Sequence, residues 1–232
     1  MSQGLLNAQY AQDRENRLEL IYRYRFRAHA AVAAAPAMRG GRLLDLGAAE
    51  GRTLSEMIRI GQPQEAWGVE RAEDLVEKAR ELGHPVVLGD VEHLPDRVRS
   101  MHFDVVCALA VLEHLEHPDA CLHEAFFVLR SGGRFVASAP NPFWDHWAAR
   151  VGLHKEQEHH VQAFDGQLFL KLAREAGFVN IRVRPFMFVG SAFLPYLGWI
   201  PPISLSYRLE APFSLPALRF AFVNQLFTAD KP

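Results

Sequence analysis

At 232 residues, with 49% hydrophobic and 22% charged side chains, the chain can bury one full core, which excludes wholesale disorder. A formal net charge of -2 leaves no basic footprint, so no nucleic-acid partner is expected. The two cysteines, Cys107 and Cys121, fall in apolar runs and read as small buried hydrophobes, with no disulfide framework or Cys-based zinc site. There is no signal-peptide pattern at the N-terminus, and a cytoplasmic location is expected.

Residues 8–35 read as a helix. Leu18, Tyr22 and Phe26 recur every four positions with Ile21 nearby, while Arg23 and Arg27 fall on the far side. Arg25 and His29 lie on the apolar face, where buried charge needs a partner. Either they meet acids on the body of the domain, or they face a ligand as substrate-binding residues.

The run Leu43 to Leu46 ends in a small-residue turn, Gly47-Ala48-Ala49-Glu50-Gly51, and helical spacing of Leu54, Met57 and Ile58 follows up to Gly61. That is a strand, a tight loop and a helix, whose first turn points unpaired N–H groups at whatever sits there. A dinucleotide fingerprint is not met, because its later glycine positions hold Ala49 and Arg52. A second strand, Ala66 to Glu70, precedes a helix carrying Leu75, Val76, Ala79 and Leu82, and a third strand, Pro85 to Asp90, follows. Such a βαβ unit is parallel and right-handed. Glu70 at the carboxyl end of its strand can accept both hydroxyls of a ribose. Three strands in succession are thus tipped by the acids Asp45, Glu70 and Asp90.

Phe103 to Leu109 is a buried-strand run leading into Val111-Leu112-Glu113-His114, and Pro118 opens a helix to Leu129. Ser131-Gly132-Gly133 turns the chain into a fifth strand, Arg134 to Ala139. Together these stretches resemble the class I S-adenosylmethionine-dependent methyltransferases. Asp45, Gly47 and Gly51 match their Asp-x-Gly-x-Gly-x-Gly motif, with Ala49 in place of a glycine, and Leu112-Glu113-His114 matches their signature after the fourth strand. The resemblance spans roughly residues 40–185. It implies an α/β fold with a doubly wound, mostly parallel seven-stranded sheet, in one domain: a helical cap over 1–38, a cofactor-binding core over 39–140 and a substrate-side region over 141–232.

It also implies S-adenosyl-L-methionine as cofactor and S-adenosylhomocysteine as product. The cofactor site would comprise Asp45, Gly47, Ala48, Ala49, Gly51, Glu70, Arg71, Asp90, Val91, Ala108 and Leu109, with Asp90 and the Val91 N–H on the adenine. Leu109 and Ala110 give the methionine end a more apolar wall than the polar pair of many relatives.

Substrate contacts are expected where the chain leaves the fifth strand, at Asn141, Phe143, Trp144 and Trp147, unless this loop only packs on the domain. His114, His159 and His160 are candidate general bases; His114 can equally order its loop. The histidines and glutamates from His154 to His160 lack a His-Glu-x-x-His pattern, and no metal is expected. Asp165 caps a helix ended by Gly177, and residues 178–188 give a sixth strand. The apolar run from Phe186 to Ile203 is broken by glycines and prolines, which disqualifies it as a bilayer span. It reads as a lid or insertion between the last two strands, or as a patch for a membrane surface or partner. The expected activity is methylation of an oxygen on a small hydrophobic or amphipathic substrate. The competing readings are a non-catalytic cofactor-binding or interaction module and a membrane-associated lipid or glycan-lipid methyltransferase. Oligomeric state is open.

Overall fold

The computed structural model describes residues 16–144, 164–213 and 216–232. Helix α1 (Leu18–Ala34) leads into β1 (Arg42–Leu46), α2 (Arg52–Gly61), β2 (Glu65–Glu70), α3 (Glu73–Glu81) and β3 (Val86–Leu88). The short α4 (Asp96–Arg99) precedes β4 (Phe103–Leu109), α5 (Pro118–Val128) and β5 (Leu129–Pro140). Then come α6 (Gly166–Glu175), β6 (Val179–Phe188), α7 (Val189–Phe193), α8 (Ile203–Glu210) and β7 (Phe222–Asp230).

The seven strands form one sheet, as expected, and their order is β3-β2-β1-β4-β5-β7-β6. β1 to β5 are parallel, and β7 runs antiparallel to both of its neighbours. β6 therefore points the same way as β5, so Leu46, Glu70, Leu88, Leu109, Pro140 and Phe188 all end at one edge. The chain winds outward from β1 in one direction and from β4 in the other. Their junction is the switch point where open α/β sheets take ligands.

Both faces are covered, which is why β4 is buried at all seven positions. On one face Leu44, Val106, Phe135 and Phe227 pack beneath α5 and α6, where Phe169 stacks on Phe227 with centroids 4.6 Å apart. On the other, Leu43, Val105, Val136 and Leu226 pack beneath α1, α2 and α3. Cys107 and Cys121 are both buried, and burial raises both thiol pKa values. Arg134 on β5 clamps Asp230 on β7 with two bonds of 2.7 and 3.1 Å and donates to the Ala34 carbonyl, joining the sheet to the end of α1.

Several boundaries differ from the sequence reading. α1 begins at Leu18; residues 8–15 lie outside the described residues. β5 begins at Leu129, and Ser131-Gly132-Gly133 is a bulge within it, because Phe103 pairs with Leu129 while Val105 pairs with Arg134. Helix α2 is stopped by Gln62, in the left-handed region at φ 51°, rather than by Gly61. Leu82, read as part of the buried face of α3, is exposed. Asp165 caps α6 as expected, accepting from the Gln167 and Leu168 N–H groups.

Candidate active site

The turn after β1 is built from left-handed backbone. Gly47, Ala49 and Gly51 have φ values of 71°, 48° and 83°. A Cβ on Gly47 would meet Val111 at 2.5 Å, and one on Gly51 would meet the His84 side chain at 2.7 Å. These glycines are needed both for conformation and for close approach. Ala49, standing where the resembled family has glycine, holds the left-handed conformation at a cost of about 1–2 kcal/mol.

That strained residue is tied to the next strand. The Ala49 N–H donates to Glu70 Oε2 at 3.0 Å, and the Ala72 N–H donates to Oε1 at 2.9 Å. Glu70 is buried, 3% exposed, and its carboxylate thus links the first turn to the start of α3. Each oxygen keeps a further lone pair, so the group can still accept from a pair of vicinal hydroxyls. The Gly89 N–H donates to the Glu70 carbonyl and holds the exit of β3 against β2.

Asp90 is exposed, and its Oδ1 accepts the Glu92 N–H at 2.9 Å, which shapes the turn that buries Val91. Glu92 in turn accepts the His117 N–H, joining this turn to the start of α5. Asp45, Ala48, Ala108 and Leu109 are buried, whereas Arg71 is exposed. Beyond β4, Ala110 also lies in the left-handed region, and its N–H donates to the Ser138 carbonyl. Val111 thereby folds over Gly47, with Leu112–His114 as a single 3-10 turn in which Glu113 is buried and His114 half-buried. The edge from β1 to β4 thus combines a tight turn, a buried carboxylate held by two main-chain amides, a second, exposed carboxylate beside a backbone amide, and an apolar wall.

The expected substrate residues are placed differently. Arg25 is exposed rather than on the apolar face. His29 lies 3.6 Å from Glu56 on α2, and burial lowers its pKa. An acid on the body of the domain, one of the two surroundings open to this pair, is thus present, and Arg25 also acts electrostatically on Glu56. The Asn141 side-chain amide donates to the Phe222 and Arg219 carbonyls, and the Trp144 indole to the Phe220 carbonyl. These polar groups fasten β5's exit to β7's entry, because backbone leaving a sheet needs partners. Phe143 is exposed and meets Trp144 edge-on. Trp147, His159 and His160 lie outside the described residues.

Sequence reading missed a second polar group at the same edge. The Tyr22 hydroxyl on α1 donates to Ser206 Oγ on α8 at 3.0 Å, with both residues fully buried. Next to them Glu210 accepts the Phe188 N–H at 2.9 Å, and burial pushes its pKa up to about 7. No local spacing announces contacts made across so much chain. Among the described residues, no group of His, Cys, Asp and Glu is placed to hold a metal ion.

Comparison with known proteins bears on this edge. The methyltransferase domain family matches residues 14–183. An uncharacterized 37.1 kDa protein of transposon TN4556 from Streptomyces fradiae is 33% identical over 112 residues, a stretch that covers 46% of this chain and 31% of that protein. A S-adenosylmethionine-dependent methyltransferase from Thermotoga maritima, described as a possible histamine N-methyltransferase, superposes with a TM-score of 0.67 at 18% identity, covering 97% of this chain and 95% of that one. One from Archaeoglobus fulgidus has a TM-score of 0.67 at 18% identity, covering 97% and 100%.

Proposed function

The chain belongs to the methyltransferase domain family, and from that premise we propose that it transfers a methyl group from S-adenosyl-L-methionine to an oxygen of a small amphipathic acceptor. The residues present fit this cofactor. The 47–51 turn leaves no room for side chains at Gly47 and Gly51, and Glu70 is held by two amides with lone pairs to spare. Glu70 would hold the ribose hydroxyls, Asp90 and the Val91 N–H the adenine, and the 47–51 turn with Leu109 the methionine end. When bound, the cofactor supplies an activated methyl on a sulfonium.

The chain's own task is then placement and exclusion of water. Val111 and Leu109 form an apolar wall beside the turn. Such a wall suits an acceptor that is at least partly apolar. His114 can take the acceptor hydroxyl's proton, which an oxygen acceptor must lose and an already neutral amine need not. The single observation that carries the reading is the folding of the post-β4 segment over Gly47, which puts the Leu112–His114 turn on the segment that covers the cofactor turn.

Labelled methyl transfer to a panel of phenols, carboxylic acids and amines tests it. Methylation of an oxygen acceptor is expected, falling about 100-fold in His114→Ala while cofactor affinity is retained. Turnover confined to amines, unaffected in the variant, contradicts the reading.

A further inference from the structure

The large exposed apolar residues are distributed unevenly. Phe143 follows β5, Phe193, Tyr196, Leu197 and Trp199 follow β6, and Phe220 precedes β7. All six therefore emerge from the carboxyl edge of the sheet. The most exposed is Leu197, at 83%, next to Trp199 at 49%, on a short loop turned by Gly198 at φ 86°. Phe127, exposed elsewhere, has the Arg99 guanidinium 4.6 Å above its ring.

The segments that carry and adjoin this loop are rich in arginine. Residues 17–34 and 182–219, which form α1 and the β6-to-β7 region, contain eight arginines and two acids. Glu19 pairs with Arg17 at 2.6 Å, Glu210 lies within electrostatic reach of Arg184, and Arg25 and Arg182 act on Glu56 and Asp230, so the cation at the loop itself is Arg23. Arg23 donates to the Tyr196 hydroxyl at 3.0 Å, so a cation stands beside the aromatic loop. The chain as a whole is acidic, at -2. A tryptophan, a tyrosine and a leucine at a loop tip, rimmed by arginine, match the boundary between hydrocarbon and anionic headgroups, where aromatic rings and snorkelling cations are favoured.

We propose that the Phe193–Trp199 loop docks the protein on an anionic bilayer surface, Leu197 and Trp199 entering the headgroup boundary and Arg23 meeting the lipid charge. Attachment is peripheral: among the described residues no helix is long and apolar enough to cross a membrane. The docked face is also the carboxyl edge of the sheet, so an amphipathic molecule leaving the bilayer would arrive at the methyl-transfer edge. The docking itself does not depend on which atom is methylated.

The test is co-sedimentation of the full chain with vesicles of phosphatidylcholine alone and of phosphatidylcholine with one quarter phosphatidylglycerol, at low and high salt. Binding is expected to the anionic vesicles, weaker in high salt, with about tenfold loss in Arg23→Glu and near-complete loss in Leu197→Asp/Trp199→Ser. Calorimetric cofactor binding, measured on the same samples, reports folding separately and should not change in the loop variant. Wild-type protein that binds cofactor yet stays in the supernatant with anionic vesicles overturns the proposal. So does vesicle binding indifferent to the loop substitutions. Concentration-dependent self-association abolished by Leu197→Asp/Trp199→Ser, without vesicle binding, assigns the face to a second copy and equally overturns it.

Discussion

From β1 to β4 the carboxyl edge is made by backbone; from β6 to β7 it is made by side chains. In the first region three residues in left-handed conformation shape one turn, and a buried glutamate is held by two main-chain amides. In the second, Tyr22 reaches Ser206 across 184 positions of sequence, and Glu210 sits on the backbone at the end of β6. On the proposed function, the first region would hold a fixed ligand shape through geometry. The second would meet the variable partner through apolar surface, and its half-buried Glu210 makes its energetics respond to pH.

Backbone geometry should be the costlier to disturb. Gly47→Ala adds a Cβ at 2.5 Å from Val111 at a φ of 71°, and a loss of about 4 kcal/mol in urea unfolding is expected from strain plus overpacking. A loss below about 1 kcal/mol would mean that Val111 yields freely and the turn is not fixed.

The second region should show itself in pH dependence. Burial raises Glu210 from 4.5 to about 7, despite bonds from the Phe188 and Met187 N–H groups and the nearby Arg184, while Tyr207 close by is pushed up to about 12. The folded chain therefore holds an extra proton between these limits: the contribution is full below pH 4.5 and is lost as pH rises through about 7. Stability should fall by about 2–3 kcal/mol from pH 5 to 8, and Glu210→Gln should remove most of that slope. An unchanged slope in the variant would place the titration elsewhere.

Ala49→Gly sharpens the contrast on a smaller scale. It relieves an alanine at φ 48° and should stabilise by about 0.5–1 kcal/mol in the same unfolding assay. Smallest of all, Leu197→Asp at an 83% exposed tip should change stability by no more than about 0.5 kcal/mol, so that any effect on vesicle binding belongs to the surface.

The same contrast governs what could be read from the sequence. Acid-tipped strands, the Gly47–Gly51 turn and the Asp165 cap were legible because each depends on neighbours within a few positions. The packing of His84 against Gly51 was not, since it requires the βαβ unit to be closed first. Periodicity put Arg25 on the apolar face, yet it is exposed, and His29 meets Glu56 on α2. Asn141 carried the polar character of a binding residue, and tertiary contacts spend it on the Phe222 and Arg219 carbonyls. The bulge at Ser131–Gly133 read as a turn because glycine pairs mark both. The Tyr22–Ser206 pair and the half-buried Glu210 have no local signal at all.

The most direct test of the central claim is calorimetric titration of S-adenosyl-L-methionine into the wild type and Glu70→Gln, with thermal unfolding recorded for both. Wild-type binding on the order of micromolar, weakened about a hundredfold in a variant that remains folded, is the expected result. A folded wild type that does not bind, or a Glu70→Gln variant that binds equally well, would contradict the assignment of this edge as the cofactor site.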